Sequence, residues 1–513
     1  MQVFKRFILI WIIFLMAFLP TAAMALKTSV TGQVETKVIV RDTDGFQYGF
    51  FSDYSEVIMA RTALKIDVTL TPEYMGKRPA FRLDKVNMIY KGAYDAIFDL
   101  TDRYDGVPEN VDSSAGEFGR DDLRFENDMK EIYADFVYQR PNTSTTLRLG
   151  RQIVQWGEDT GHAISNVIVP TDLRYAPVGS NPEEFATPLW MARFDHNIVG
   201  VGALDELSFQ LILLPEFKPL QFPFGSDPNG RNEWWTAPYA YGFEGLADPF
   251  PVGLGVTKMK QVLPSDGLDN MGVAAKVSFT VGEFHMETSY YDGYQQGFAM
   301  NVSQAVLASL SDLGIPGFPP PFTVPHTVFL EHPTMENWAV SGNYYSAMLH
   351  GVIAFEAAGS FNQSFSHAAD NGPNGYANYD MYQFYLSYGR DFSNWAKYIG
   401  TTQAVNTTIS AYHRLIAGYD DDTSGNSIKS NNTAFNLALS TGGWDAGRIA
   451  PSISFEYDTE GVVQTVFMCT FVRGRGYAKI MAMPVWGRTD ASGAQKHAFI
   501  HYSEMSFVLG YNF

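Results

Sequence analysis

The last eleven residues of the chain alternate between apolar and polar side chains and end on an aromatic residue. Met505, Phe507, Leu509, Tyr511 and Phe513 fall on one face of a strand, while small and polar residues fall on the other apart from a single valine. Such an ending is typical of the strand that closes a transmembrane β-barrel. A C-terminal strand of a soluble protein can show the same alternation, so this pattern alone leaves both folds open.

The N-terminus has the pattern of a secretory signal. Lys5 and Arg6 precede an apolar run over 7–19, Pro20 ends that run, and Ala23 and Ala25 supply a small-x-small cleavage pattern. The run is shorter than the roughly 20 residues of a membrane-spanning helix. We therefore predict that residues 1–25 are a signal peptide and that residues 26–513 form the mature, exported chain.

Composition narrows the fold class further. Aromatic residues make up 15% of the chain and charged residues only 18%, below the roughly 25% of ordinary soluble domains. No later stretch is apolar for long enough to form a membrane helix. The net charge of −19 argues against nucleic acid as a partner, and the one cysteine excludes an intrachain disulfide.

Strands with period-2 alternation recur along the whole chain. Val273 to Val281 alternates aliphatic with polar or small residues, and Gly282 and Glu283 form a two-residue connection to the next such run. Together with both termini, this favours an all-β fold, a single transmembrane antiparallel β-barrel over 26–513. At roughly 30 residues for each strand and its connection, we expect about 16 strands, with 14–18 as the range.

Two stretches are too long for turns, namely 216–262 and 301–333. Both are rich in aromatic residues and proline, and loops of this length are usually functional or disordered. They either fold over the barrel mouth as outer loops or form a hydrophobic entrance or plug. Their apolar candidates for contact with a solute are Trp234, Trp235, Phe318 and Phe322.

The most distinctive internal stretch runs from Leu147 to Gly157. Its order Arg-x-Gly-Arg-Gln-x-x-x-Trp-Gly-Glu is followed by Pro-x-Asp-Leu at 170–173 and Pro-Leu-Trp-Met at 188–191. This arrangement resembles the bacterial domain-of-unknown-function-1302 family of predicted outer-membrane proteins, over about 130 to 390. Val169 departs from the asparagine common before that proline. The resemblance implies an outer-membrane barrel, often associated with hydrophobic compounds and sometimes with periplasmic proteins or inner-membrane efflux permeases.

The same stretch supplies the candidates for the barrel lumen. Arg148 shares a strand face with Gly150 and Gln152, opposite two leucines, which would point Arg148 inward. Nearby charged residues could form a network that locks an inward fold, because charges away from bulk water need partners. That fold is either a pinned turn or plug, or a constriction that selects solutes. The lumen candidates are Arg148, Arg151, Gln152, Trp156, Glu158, Asp172, Arg174 and Arg193.

No catalytic or metal-binding motif stands out in the sequence, and we predict no enzyme activity, metal or cofactor. The leading hypothesis is a channel or passive transporter in the outer membrane of a Gram-negative bacterium, for hydrophobic or amphipathic small molecules. The alternative is a non-conducting barrel that acts as a scaffold or docking partner for a periplasmic or efflux assembly. An outer-membrane enzyme is a third, unsupported hypothesis.

Overall fold

The chain forms a closed antiparallel barrel of 18 strands. A computed structural model describes the following residues: 24–42, 55–74, 78–101, 120–158, 164–172, 185–221, 256–265, 267–297, 299–302, 326–366, 376–419, 429–459, 461–486 and 503–513. Among these residues no helix is both long and apolar enough to cross a membrane.

Nineteen strands make up the barrel wall. Two short consecutive strands, β20 and β21, together occupy one of its 18 positions. The wall strands are β1 (Met24–Asp42), β2 (Ser55–Tyr74), β3 (Phe81–Asp95), β4 (Phe125–Gln139), β5 (Thr143–Gln152), β6 (Leu189–Val201), β7 (Leu204–Leu214), β9 (Gly272–Val281), β10 (Phe284–Tyr294), β13 (Thr334–Ser346), β14 (Gly351–Ser366), β15 (Tyr376–Phe392), β16 (Val405–Ala417), β17 (Asn431–Ser440), β18 (Ile449–Asp458), β19 (Val463–Arg473), β20 (Gly476–Met483) with β21 (Val485–Trp486), and β22 (Ser503–Asn512).

A second, three-stranded sheet lies outside the wall. It consists of β8 (Val256–Val262), β11 (Ala299–Val302) and β12 (His326–Glu331), in which β8 and β12 are parallel. The described helices are single turns: α1 (Ile97–Leu100), α2 (Arg120–Arg124), α3 (Ala396–Ile399), and 3-10 turns at Ser393–Trp395 and Asp445–Gly447.

The first and last strands close the ring. Strand β1 pairs with β2 on one side and with β22 on the other, in a register that places Gln33 opposite Asn512. Beyond that pair, Gly32 N–H donates to the Phe513 carbonyl (3.0 Å) and Phe513 N–H donates to the Gly32 carbonyl (2.9 Å). Among the described strands of the wall, closure leaves no free edge, which is the condition for a sheet to lie in hydrocarbon.

The two rims of the barrel differ in the length of their connections. At the rim that carries both termini, most connections are short, as at 202–203, 282–283 and 474–475, and the longest is 393–404. At the opposite rim, 153–188, 215–271 and 295–333 join consecutive wall strands. Outer-membrane barrels have this asymmetry, with short periplasmic turns and longer extracellular loops.

Apolar side chains cover the outside of the wall. On the last strand, Leu509 is 66% and Tyr511 51% exposed, whereas Val508 on the other face is 6% exposed. The predicted outward face of this strand is therefore confirmed. Strand β1 follows the same rule, because Leu26 and Val30 are exposed on the outer face.

The 18 strands lie at the upper end of the expected range of 14–18 and exceed the central expectation of about 16 by two. Several turns at the rim with the termini are only two residues long, so each strand uses fewer residues than the assumed average. Strand β3 ends at Asp95, whose carboxylate accepts the backbone N–H of Ile97 (3.2 Å) and of Ala60 (2.9 Å). These bonds redirect the chain into α1.

The two long connections predicted at 216–262 and 301–333 contain regular structure at their edges, since β8 and β12 lie within them. Their apolar candidates Trp234, Trp235, Phe318 and Phe322 lie outside the residues that the structure describes.

Candidate functional site

The connection between β5 and β6 enters the barrel. We call residues 153–158, 164–172 and 185–188 the inward segment. Its atoms contact luminal side chains of wall strands that are distant in the sequence, on β7, β10 and β14. The inward segment therefore occupies part of the lumen, along the wall from β6 to β14.

Two wall carboxylates hold the backbone of this segment. Glu356 on β14 accepts the N–H of Glu158 (2.9 Å), the N–H of Ser165 (2.7 Å) and the Ser165 hydroxyl. Glu287 on β10 accepts the N–H of Gly157 (3.1 Å). Because a charged acceptor strengthens each hydrogen bond, these contacts fix the segment to the far side of the lumen.

Gly157 makes the approach to Glu356 possible. Its φ of +89° lies in the left-handed region, and a Cβ there would lie 2.3 Å from the Ser165 hydroxyl oxygen and 2.6 Å from Glu356 Oε1. Any larger residue at this position would push the segment away from β14.

An apolar core joins the segment to the wall behind it. Trp156 is 4% exposed, its ring N–H donates to Gln210 Oε1 (2.6 Å), and Lys276 Nζ lies 5.6 Å from the ring centroid. Lys276 in turn pairs with Glu287 (2.8 Å). The buried members of this core are Val154, Trp156, Ile168, Val169, Ala186, Leu189, Met191, Ile212, Leu214, Ala274, Tyr291 and Met335.

The predicted luminal arginines pair with wall carboxylates that sequence reasoning missed. Arg148 binds Asp135 on β4 through two nitrogens (2.7 and 2.9 Å), and its guanidinium lies 4.0 Å from the centroid of the Tyr133 ring. Arg193 binds Asp195 at 2.8 Å.

Arg151, on the strand face opposite Arg148, binds Asp128 (2.7 Å). The arginine pairs therefore differ from the predicted network among the candidates themselves.

The remaining lumen candidates have separate environments. Gln152 is fully buried, with its amide 3.4 Å from the Met191 carbonyl. Glu158 accepts a hydrogen bond from the Asn343 side chain (2.8 Å). Asp172 is buried, and its backbone forms a bridge to Gln221. Arg174 lies outside the described residues.

Glu356, Glu287 and Lys276 are site residues that sequence reasoning did not select. Their signal was a charged side chain in the middle of an alternating strand. Such a residue indicates a polar lumen, but the inward segment that Glu287 and Glu356 bind lies more than a hundred residues away in the sequence.

A cavity of about 680 Å³ remains between the inward segment and strands β1 to β4. On the wall side it is lined by five cationic side chains, which we call the basic wall: Lys37, Arg61, Lys65, Lys91 and Lys130. On the other side the inward segment contributes Ile153, Gln155 and Phe185. The volume is within the range of roughly 300–1,000 Å³ that is usual for small-molecule sites.

One buried carboxylate organises part of the basic wall. Glu126 lies behind the cavity surface. Its carboxylate forms ion pairs with the side-chain nitrogens of Arg61 (2.6 Å), Lys130 (3.0 Å) and Lys91 (3.2 Å). A single negative charge is thus shared among three positive ones. Within the described residues, no group of His, Cys, Asp or Glu side chains is arranged to hold a metal ion.

The family described as "Protein of unknown function (DUF1302)" matches residues 42–223, so the predicted resemblance to that family is confirmed there. No curated protein matches the chain.

Among solved structures, OccAB3 from Acinetobacter baumannii is 7% identical, with 95% of this chain and 99% of that chain covered and a TM-score of 0.45. A BenF-like porin from Pseudomonas fluorescens Pf-5 is 5% identical, with 95% and 98% covered and a TM-score of 0.45. The outer membrane protein OpdK from Pseudomonas aeruginosa is 6% identical, with 95% and 98% covered and a TM-score of 0.46. At such identities the similarity is one of fold only.

Proposed function

We propose that the protein is an outer-membrane channel or passive transporter for hydrophobic or amphipathic small molecules. The observation that carries this proposal is the cavity inside the barrel, which has charged side chains on one side and Ile153 and Phe185 on the other. A solute with an apolar body and a polar group could contact both sides at once. The proposal involves no catalysed reaction.

The outside of the barrel supports a location in the outer membrane. The wall is closed and its outer face is apolar, so it is suited to lipid. The short-turn rim would face the periplasm and the long connections the exterior. Cleavage of the proposed signal peptide after Ala25 would remove only two residues from β1, which begins at Met24.

The long connections 216–262 and 301–333 join wall strands at the rim opposite the termini. They would receive solutes from outside, and Trp234, Trp235, Phe318 and Phe322 would supply apolar contacts there. This role is part of the proposal, and deletion of 314–322 should reduce uptake of apolar solutes without preventing assembly.

One observation favours the alternative of a non-conducting scaffold. The inward segment is packed against the wall through a continuous buried core, and such packing could block the lumen instead of narrowing it. In that case the barrel would serve to dock periplasmic or efflux proteins at its short-turn rim.

Conductance of the purified protein in planar bilayers separates the two functions. We expect discrete conductance steps for the wild type and larger steps for Gly157→Ala, because the added methyl group displaces the inward segment from Glu356. Gly202→Ala is the matched control, since Gly202 also has a positive φ (+63°) but has nothing within 4 Å of an added Cβ.

A channel-forming wild type with larger steps only in Gly157→Ala supports the channel. Silence of the wild type and of Gly157→Ala, in protein that is folded by gel mobility, would overturn it in favour of the scaffold.

A further inference from the structure

We infer that the cavity binds the negatively charged group of its solute, and that the transported class is that of small organic anions with an apolar body, such as aromatic monocarboxylates. This inference rests on the proposed function and specifies its substrate class. The binding groups are the cationic side chains of the basic wall.

The side chains around the cavity include more cations than carboxylates. The whole chain has a net charge of −19, yet the side chains that line the cavity include five cations and only three carboxylates, Glu35, Asp67 and Glu131. Glu126 behind the wall adds one negative charge, which three of the cations share. The five cations thus outnumber these four carboxylates by one, in a strongly acidic protein, although Lys37 also lies 3.9 Å from Glu35 and Lys130 lies 3.8 Å from Asp128.

The register between β2 and β3 brings two lysines of the basic wall together. Strand pairing places Lys65 directly opposite Lys91, with both side chains at the cavity. Like charges in directly opposite positions destabilise a sheet. Lys91 is compensated by Glu126 at 3.2 Å. Among the described residues Lys65 forms no ion pair and interacts with the Glu131 carboxylate only at longer range. An anion in the cavity would offset the repulsion that this arrangement creates.

The side of the cavity that faces the basic wall contributes apolar side chains. Ile153 and Phe185 of the inward segment, together with Ile89 and Met59 of the wall, provide apolar surface within the same cavity. An inorganic anion would gain nothing from these side chains. A carboxylate attached to an aromatic or aliphatic body would gain both an ion pair and burial of apolar area.

A matched set of solutes tests the charge preference directly. Benzoate, benzyl alcohol and benzylammonium share one ring and differ in charge. Their flux into proteoliposomes is measured with the wild type, with Lys65→Glu, and with Lys397→Glu as the control. Lys397 is an exposed lysine of α3 at the short-turn rim, outside the cavity. The anion-to-cation permeability ratio is measured in bilayers under a KCl gradient.

The wild type should favour anions and should transport benzoate faster than benzyl alcohol or benzylammonium. Reversing the charge at Lys65 should lower both preferences by about threefold or more, because the charge acts at close range in a confined space. Lys397→Glu should leave both unchanged.

A wild type that conducts but favours cations, or a Lys65→Glu variant with unaltered selectivity, would overturn this inference and leave the channel in place. A wild type that passes neither ions nor solutes would instead refute the proposed function itself.

Discussion

Two regions of the barrel wall share the same alternation of side chains but use their luminal face differently. From β6 to β14 the luminal face carries apolar residues such as Met191, Ile212 and Ala274, and the inward segment covers it. From β1 to β4 the luminal face carries the basic wall and is left open to the cavity. We call these the covered sector and the open sector. The covered sector thus contacts the inward segment through apolar residues and through the carboxylates of Glu287 and Glu356, whereas the open sector lines the cavity mainly with charged side chains.

The largest expected effect comes from detaching the inward segment from the covered sector. Glu356→Ala removes the acceptor of two backbone N–H groups and one hydroxyl, and each buried donor left unpaired costs about 1–3 kcal/mol. We expect single-channel conductance to rise by about twofold or more, because the segment moves away from the wall. Planar-bilayer recordings measure this change.

The control for that experiment is Glu456→Ala. Glu456 is also a glutamate on a wall strand, β18, and it makes no hydrogen bond or ion pair within the described part of the chain. Equal conductance changes in both variants would mean that loss of a luminal charge, and not release of the segment, is responsible.

A smaller effect, on stability instead of conductance, is expected at the edge between the two sectors. Arg148→Gln leaves Asp135, which is 4% exposed, without its bidentate partner, although Lys85 remains 3.8 Å away. We expect the free energy of unfolding to fall by about 3 kcal/mol. A urea titration in which gel mobility reports the folded fraction measures the loss. Conductance should be unchanged because Arg148 does not line the cavity.

Arg448→Gln provides the reference for Arg148. Arg448 pairs with Asp445 at 3.6 Å, but both side chains are more than half exposed, so the loss should be about 0–1 kcal/mol. If conductance changed in Arg148→Gln, Arg148 would belong to the constriction, which is the other interpretation of its luminal position.

The smallest effect concerns the pH dependence of the connection between β10 and β13, next to the covered sector. His332 follows β12, is 5% exposed, and its Nδ1 lies 3.1 and 3.0 Å from the carbonyls of Gln295 and Gly297. Burial lowers its pKa below the ordinary value of 6.5. The unfolded chain therefore binds the proton more readily, and stability is lost as the pH falls below 6.5.

Unfolding temperatures measured between about pH 8 and pH 5 test this prediction, because histidine side chains titrate in this range. The wild type should lose more stability on acidification than His332→Gln. Identical pH profiles for the two proteins would show that this histidine contributes nothing to the acid sensitivity of the barrel.

Local patterns were sufficient to predict the fold. The alternation of the last strand and the two-residue connection at Gly282 and Glu283 each depend on adjacent residues, and both are present in the structure. The candidates Gln152 and Trp156 were found in the same way, from one distinctive stretch.

The partners of the site could not be predicted from these patterns. Ser165 and Glu356 are separated by 191 residues, and no local rule relates the start of a luminal connection to a carboxylate on a distant strand. Lys65 stood in the sequence as one polar residue of an alternating strand. Its position opposite Lys91 depends on the register between β2 and β3, which becomes fixed only when the whole ring is assembled.

The mutual hydrogen bonds between Gly32 and Phe513 have a consequence for biogenesis. Strand β22 pairs with β1, and this pairing spans more of the chain than any other in the wall. The entropic cost of closing a loop rises with its length, so joining β22 to β1 is the most demanding contact of the ring and depends on the strands between them being in place.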